Sequence, residues 1–532
     1  MATIRGTNSN NTLTGSNSGD RIYAYDGDDI AFGRNGSDTI WGGAGNDTLD
    51  GGRNRDTLYG EDGDDRILAG YDDGLGDVYD GGNGVDIYVV EGTEVDHLPF
   101  YVNLATGVDQ YFNRYISIEN VVGGKVGDEI TGTTGDNVLD GRGGNDTLNG
   151  NDGNDTLKGG DGNDTLNGGL GDDVMEGGAG ADVMDGGVGG NDTAVYWNAT
   201  AGVTVALNGA ASGGEADGDV LTGFEHLVGS SFDDVLTGDA GNNRINGRDG
   251  NDVIMGGDGD DHLIGGAGMD SIDGGNGVDT ASYEFAGSGV SVNLFTGGYG
   301  GRAGGDTYRS IENVLGSDHD DIITGDFLAN RISGGLGDDV LNGDGGNDQL
   351  VGGAGADSLD GGNGVDTANY AGASAAIALS LATGGTAGDA AGDTFANIEF
   401  VVGTSFGDTI AGNDRNNRLT GGDGADSLDG GAAHDVLVGG LGDDVITGGD
   451  GFDVFWFRDA VEGNDTITDF WAGDGMTDRI WLGADTGLTD WAAVQGAWTD
   501  TVDGLLLTFA NGSALLEGVL STELRADDFI LA

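Results

Sequence analysis

The sequence predicts an all-β solenoid of stacked two-turn coils, and three observations predict it. Glycine returns every nine residues over long stretches, at Gly33, Gly42, Gly51 and Gly60, and again from Gly132 through Gly141, Gly150, Gly159 and Gly168 to Gly177. Well-formed copies place an aspartate at the sixth position and usually an aliphatic residue at the eighth, as in Asp47/Leu49, Asp164/Leu166 and Asp444/Ile446. The best copies read GGAGNDTLD (42–50), GGDGNDTLN (159–167) and GGLGDDVIT (439–447). A fixed period of this kind is the mark of a repeat architecture.

Composition narrows the alternatives. The 532 residues include 114 glycines, one proline and no cysteine, so neither a collagen helix nor a disulfide framework fits. No run of about 18 apolar residues exists to span a membrane. The balance of 93 acidic against 20 basic residues leaves a net charge of −73, which repels nucleic acid and anionic lipid and attracts cations. Such charge with low hydrophobicity ordinarily means disorder. The repeat argues for order instead.

Each part of the nonapeptide has a physical role. GGxGxD makes a tight turn in which glycines take positive φ and expose backbone carbonyls. The x-U-x that follows is expected to form a three-residue strand with one aliphatic side chain facing a shared interior. Two nonapeptides then make one flattened coil with a turn on each flank. A single copy buries almost nothing, so the fold exists only as a stack.

The turns carry the candidate chemistry. An aspartate and several carbonyls recur on each flank, an oxygen-only donor set that selects a hard cation of calcium's size. Zinc or copper would call for cysteine or histidine, and the chain has no cysteine and five histidines. The candidate ligands are Asp20, Asp29, Asp38, Asp47, Asp56, Asp65 and Asp86, then Asp128, Asp146, Asp155, Asp164, Asp173 and Asp182. They continue with Asp234, Asp252, Asp261, Asp270 and Asp279, with Asp321, Asp339, Asp348, Asp357 and Asp366, and with Asp408, Asp426, Asp435, Asp444 and Asp453. Stacking about 35 copies gives roughly 20–25 inter-coil calcium ions, enough to offset most of the charge. Asn11, Asn137, Asn243, Asn330 and Asn417 occupy the same position with an uncharged, weaker ligand.

These GGxGxDxUx copies resemble the repeats-in-toxin (RTX), hemolysin-type calcium-binding repeats. The resemblance implies a parallel β-roll in which the sixth-position aspartate and the turn carbonyls bind calcium between coils. It covers five blocks, residues 1–88, 123–192, 229–280, 316–367 and 403–455, separated by linking segments 89–122, 193–228, 281–315 and 368–402 and followed by a C-terminal cap, 456–532.

The linking segments share a pattern of their own. From the last repeat aspartate to the next block's glycine, Asp86 to Gly123, Asp192 to Gly229, Asp279 to Gly316 and Asp366 to Gly403, each measures 37 residues. Three begin DTAxY (Tyr196, Tyr283, Tyr370) and all four end on an acidic signature at Glu119, Glu225, Glu312 or Glu399. Alternating strand-like stretches between these marks predict a bulge or hairpin that continues the solenoid and widens its core. The alternatives are extra calcium at the four glutamates, or a ligand site built from Glu225, Asp219 and their equivalents.

Five of the seven tryptophans, Trp456, Trp471, Trp481, Trp491 and Trp498, fall in the cap and predict an aromatic core there. Leu505–Phe509 and Ala514–Val519 flank Asn511-Gly512, a hairpin turn, and Ser521–Leu524 is expected to open a short helix. Asp465–Phe470 and the final DDFILA are similar to the capping region of serralysin-type proteins, which implies an uncleaved type I secretion signal. MATIRGTNSN has no apolar h-region, so no cleavable signal peptide is expected.

Enzymatic motifs are not found. There is no HExxH and no P-loop, and the literal GxSxG at Gly403–Gly407 lies in repeat register beside Gly229–Asp233. The sequence therefore reads as a non-enzymatic, secreted calcium-binding protein, located outside the cell or at its surface. It is expected to fold on meeting extracellular calcium and to self-assemble into a surface layer, matrix or filament. Its partners are expected to be copies of itself and the type I secretion machinery, with no nucleic acid and no membrane span. The first repeat begins at Gly6, which leaves a coil edge open to head-to-tail pairing. An adhesin that binds cell-surface polysaccharide or ice, and a polysaccharide-modifying enzyme, are the alternatives.

Overall fold

The computed structural model describes residues 1–70, 76–90, 98–109, 111–209, 211–458, 463–472, 477–510 and 512–531. They form two compact units, Met1–Gly265 with Gly274–Gly277, and Gly266–Asp273 with Val278–Ala532. Almost all regular structure is parallel strand, as the repeat predicts. Among the described residues no helix is long and apolar enough to cross a membrane.

The coil is clearest at 138–187 of the first unit. Thr156–Asp161 lies between Val138–Gly143 and Val174–Ala179, with Leu157 opposite Leu139 and Met175. On the other flank Thr165–Leu170 lies between Thr147–Asp152 and Val183–Gly187, with Leu166 opposite Leu148 and Met184. Partners are 18 residues apart, two nonapeptides per coil. The eighth-position side chains Leu139, Leu148, Leu157, Leu166, Met175 and Met184 are fully buried in the narrow interior. Each contributes about 1.5–3 kcal/mol by burial, too little for one coil to stand alone.

The strands differ from expectation in length. Many run six residues rather than three, because pairing resumes beyond the first-position glycine: Lys158 faces Glu176, Gly159 is skipped, and Gly160 faces Gly178. The glycines also serve two purposes. Gly160 and Gly162 lie in the left-handed region at φ 104° and 141°. Gly159 does not; a Cβ there would strike the Oδ2 of Asp164 and the carbonyl of Gly177. The first glycine is required for space and the other two for conformation.

The linking segments are enlarged coils. In the first unit Thr193–Val195 continues one sheet between Val174–Ala179 and His226–Val228. On the opposite flank Val220–Thr222 pairs with Val183–Gly187 and ends a six-stranded sheet, while Thr204–Ala206 starts a new one against Val235–Thr237. In the second unit Thr367–Asn369, Thr394–Ala396 and Ala378–Ser380 repeat this plan, and Ala378–Ser380 adds an antiparallel hairpin with Gly384–Ala387. One face runs through while the other restarts. Tyr196, Tyr283 and Tyr370 are buried in the wider interior, as the expectation of a widened core requires.

Beyond Val454 the parallel ladder continues with different contents. Val454–Phe457 pairs with Arg479–Leu482, which pairs with Phe529–Leu531. Gly463–Ile467 pairs with Gly512–Glu517, which forms the expected hairpin with Gly504–Thr508; Asn511 of its turn lies outside the described residues. The buried rings here are phenylalanines, Phe455, Phe457, Phe470 and Phe509, with Phe457 against Phe509 at 5.0 Å. The five tryptophans do not form the expected core. Trp456 and Trp481, stacked at 4.3 Å, are half-buried, as are Trp491 and Trp498, and Trp471 is exposed, because the interior of the ladder takes the phenylalanines. The helix expected at Ser521–Leu524 is instead a turn, in which the Glu523 carboxylate accepts the Leu520 N–H at 2.8 Å. The helix here is Trp491–Ala497, started by Asp490, whose side chain accepts the Ala493 N–H at 2.8 Å.

Candidate metal centres

The sixth-position aspartates form ladders along the turns. The main-chain N–H of each donates to Oδ1 of the aspartate one coil on: Asp146 to Asp164 at 2.7 Å, Asp155 to Asp173 at 2.7 Å, Asp164 to Asp182 at 2.8 Å. The second unit repeats this, Asp339 to Asp357 at 2.9 Å and Asp426 to Asp444 at 2.8 Å. The ladder uses Oδ1 and leaves Oδ2 turned inward against the first-position glycine.

That second oxygen is buried without a protein donor along most of the ladder. This holds for Asp29, Asp38, Asp47, Asp56, Asp65 and Asp86, and for Asp146, Asp155, Asp164, Asp173 and Asp182. It holds in the second unit for Asp339, Asp348, Asp357, Asp366, Asp426, Asp435, Asp444 and Asp453. Asp252, Asp261, Asp270 and Asp279 occupy the same register and are equally buried. An ionised carboxylate in such a place must take up a proton or meet a cation. Burial accordingly pushes Asp146, Asp155 and Asp164 up to about 7 and Asp56 up to about 8, with neighbouring carboxylates adding to the rise and the ladder N–H opposing it.

The turn carbonyls supply the other oxygens. A Cβ on Gly160 would meet the carbonyl oxygen of Arg142, and one on Gly162 that of Gly144. Carbonyls at the second and fourth positions therefore face the turn of the next coil. Among the described residues no three His, Cys, Asp or Glu side chains gather at one point. A cation held here takes most of its oxygens from the backbone, which suits calcium and excludes a zinc-type side-chain cage.

Several members of the ladder lie outside the candidate ligand set that spacing gives, although Asp192 counts as a repeat aspartate and Asp219 belongs to the alternative ligand site. Asp77 accepts the N–H of Asp56, Asp192 that of Asp173, Asp219 that of Asp182 and Asp393 that of Asp357, all between 2.7 and 2.8 Å. Asp306, Asp465 and Asp478 do the same for Asp270, Asp444 and Asp453. Insertions place these residues out of the nine-residue count. The motif Asp-x-hydrophobic, as in Asp219-Val-Leu and Asp393-Thr-Phe, would have found them. Glu119, Glu225, Glu312 and Glu399 extend the ladder too, accepting the N–H groups of Asp86, Asp192, Asp279 and Asp366 at 2.8 to 3.0 Å.

In the enlarged coils a tyrosine hydroxyl meets the second carboxylate oxygen. Tyr196 donates to Asp219 at 3.0 Å, Tyr283 to Asp306 at 2.7 Å and Tyr370 to Asp393 at 2.6 Å. The GxSxG at Gly403–Gly407 is a repeat turn, in which Thr404 donates its hydroxyl to Asp408 and Ser405 is exposed.

Comparison with known proteins agrees with this geometry. The profile of the RTX calcium-binding nonapeptide repeat matches residues 5–40, 41–73, 122–157, 158–193, 219–254, 246–281, 315–350, 333–368, 402–437 and 429–457. No curated protein matches the chain. Thirty-three solved chains match. One is the crystal structure of extracellular lipase LipA from Serratia marcescens, at 20% identity and a TM-score of 0.18, over 41% of this chain and 40% of that one.

Proposed function

The chain belongs to the RTX calcium-binding nonapeptide repeat family and binds multiple calcium ions, and from that premise we propose a secreted structural protein that folds on calcium outside the cell. The observation that carries this reading is the row of buried Oδ2 atoms lacking any protein donor. Without a cation these carboxylates repel one another and oppose folding. With calcium bound, binding free energy becomes folding free energy. Extracellular oxygen sites of this kind have dissociation constants of about 10⁻⁴–10⁻³ M, so the cytosol leaves them empty and the exterior fills them. An unfolded chain inside the cell suits type I export. The aspartates whose Oδ2 is buried without a protein donor are the proposed ligands, together with the turn carbonyls.

Self-association into a layer, matrix or filament is the finer part of the proposal. Its support is the exposure of Phe295, Tyr299, Phe327 and Leu328, an apolar group on an otherwise acidic surface, with Phe295 against Phe327 at 5.3 Å. Circular dichroism and particle size across a calcium titration, with a chelator control, test both parts. Strand signal independent of calcium would overturn calcium-coupled folding. Single particles at millimolar calcium and high protein concentration would overturn assembly.

A second reading, an adhesin for extracellular polysaccharide, is favoured by one feature of the second unit. Equivalent surface hollows occur in two successive enlarged coils, about 220 Å³ beside Phe295, Tyr308, Arg309 and Asp326, and about 740 Å³ beside Phe395, Asn397, Asn413 and Arg415. Binding on a glycan array, weakened by Arg309→Ala and Arg415→Ala, would favour this reading over self-association.

A further inference from the structure

Each block opens on one coil whose two turns differ from those that follow. One turn carries Asp20, Asp128, Asp234, Asp321 or Asp408, and the other carries Asn11, Asn137, Asn243, Asn330 or Asn417. In interior turns the second and fourth positions take positive φ, as at Gly353 (108°) and Gly355 (159°). In the opening coils neither position does so. Ser230 and Phe232, Ser317 and His319, and Thr404 and Phe406 all lie outside the left-handed region, as do Asp239, Gly241, Asp326, Leu328, Asn413 and Arg415. The second-position carbonyls still face the next coil, Ser317 toward Gly335 and Thr404 toward Gly422. The fourth-position carbonyls are turned: a Cβ on Gly337 or Gly424 would lie nearest the carbonyl carbon of His319 or Phe406, where one on Gly355 would lie nearest the carbonyl oxygen of Gly337.

The side chains are met by the protein itself. Asp234 accepts the Ser230 N–H on Oδ2 at 2.6 Å, and the Ser230 hydroxyl at 2.8 Å and the Val203 N–H at 2.7 Å on Oδ1. Asp321 has the same three donors from Ser317 and Val290, and Asp408 from Thr404 and Ile377. Asp20 accepts from the Ser16 N–H and hydroxyl, both at 2.7 Å, and Asp128 from the Gly124 N–H at 2.9 Å. On the other flank each asparagine oxygen accepts a local N–H, from Thr133 to Asn137 at 2.6 Å and from Asp326 to Asn330 at 2.8 Å. In the four later blocks its amide then donates to a backbone carbonyl one coil back, Asn137 to Glu119 at 2.7 Å, Asn243 to Glu225 at 3.3 Å, Asn330 to Glu312 at 3.2 Å and Asn417 to Glu399 at 3.3 Å, while the Asn11 amide donates to the Thr7 hydroxyl at 3.1 Å. A neutral N–H group points at an oxygen where an interior turn presents a second anionic oxygen.

We propose that the opening coil of every block is a metal-free coil: local N–H, hydroxyl and amide donors fill the place of the ion, and the coil presents a finished ladder edge to the first ion-carrying coil. Asn330 and Asp321 already donate their N–H groups to Asp348 and Asp339, the first interior carboxylates of their block. The coil thereby sets the 18-residue register for the ion-carrying coils without holding an ion of its own. Asp20, Asp128, Asp234, Asp321 and Asp408 then leave the set of calcium ligands that their spacing suggests. This proposal rests on the calcium reading of the interior turns.

Native mass spectrometry of the calcium-saturated full chain tests it by counting ions. The triple variant Asp234→Asn, Asp321→Asn, Asp408→Asn is expected to keep the ion count of the unsubstituted chain. The matched interior triple Asp155→Asn, Asp339→Asn, Asp426→Asn is expected to lose at least one ion per substitution. Loss of ions from the opening triple equal to that from the interior triple overturns the proposal. An unsubstituted chain that carries no calcium overturns the underlying reading instead. Should the triples fail to fold, Asn330→Asp decides: an unchanged count supports a metal-free coil, and a gained ion overturns it.

Discussion

Two stretches of the second unit share one parallel ladder and stabilise it by opposite means. From Gly421 to Asp453 the interior holds only narrow aliphatic side chains such as Leu428, Leu437 and Ile446, and the turns hold the carboxylates of Asp426, Asp435, Asp444 and Asp453 with Oδ2 unmet. From Val454 onward the same stacking continues, but Phe455, Phe457, Phe470 and Ile480 fill a wider interior. There Asp528, fully buried, has both oxygens met, by the Thr477 hydroxyl at 2.9 Å and the Arg525 N–H at 2.6 Å. The ladder geometry itself does not require metal. A coil must either bury enough apolar surface or recruit a cation for its turns, and this chain does one in the blocks and the other near its last residues.

Calcium removal is the largest test of that contrast. With chelator at pH 7.5, hydrogen exchange at 421–453 is expected to reach the unprotected rate, while the hairpin Gly504–Thr508 and Gly512–Glu517 keeps part of its protection. Equal loss in both stretches would break the comparison, because it would make the aromatic region as dependent on ions as the roll.

Protons should replace calcium in part. Burial pushes Asp426 and Asp435 up to about 7 and Asp444 up to about 6, all above the ordinary carboxylate value near 3.8. A folded-state pKa above the unfolded one means that the folded chain binds more protons between those values. The ion-free roll is then most stable below about pH 4 and loses that stability as pH rises through 6 to 7. Chelated protein is therefore expected to regain strand signal in circular dichroism on acidification from pH 8 to 4.5. The calcium midpoint should also rise about tenfold per pH unit lost for each proton an ion displaces. A midpoint independent of pH between 8 and 6 would show that these carboxylates are ionised without the ion.

The register of the aspartates was legible from residues alone, since Asp155, Asp164 and Asp173 recur at nine and one aliphatic residue follows each. The state of each second oxygen was not. Asp234 and Asp252 look alike in a nine-residue count, yet Asp234 is met by Ser230, four residues back, because Ser230 leaves the left-handed region that glycine would occupy. Spacing reports where a carboxylate sits along the chain and is silent about which donors the turn aims at it. The widened coils were legible from their 37-residue spacing, but the place of their glutamates in the ladder was hidden for a related reason. Glu225 follows Asp192 by 33 residues in the same ladder, a step that only the folded loop makes short. The helix Trp491–Ala497 escaped because seven residues with three alanines carry little periodicity, and its start signal is the single residue Asp490.

Glycine gives a finer probe of the two stretches. Gly442 lies in the roll at φ 141°, and a Cβ there would fall on the carbonyl oxygen of Gly424 one coil back. Gly442→Ala strains the backbone and pushes adjacent coils apart, so a loss of about 4 kcal/mol or more is expected in calcium-saturated unfolding. A loss below about 1 kcal/mol would show that coils can separate freely at the turns.

The same methyl group should act in the opposite direction beyond the roll. Gly496 sits in the helix Trp491–Ala497 at ordinary helical φ, and a Cβ there meets nothing within 4 Å. Gly496→Ala removes chain entropy from the unfolded state at no steric cost, a gain of about 0.5–1 kcal/mol. Local hydrogen exchange at 491–497 is the measurement, because global unfolding is dominated by the ion-loaded blocks. Slower exchange with an unchanged calcium midpoint is expected. A shifted midpoint would mean that stability gained in the aromatic region passes into the ion-binding turns, and that the two ways of completing the ladder form one cooperative unit.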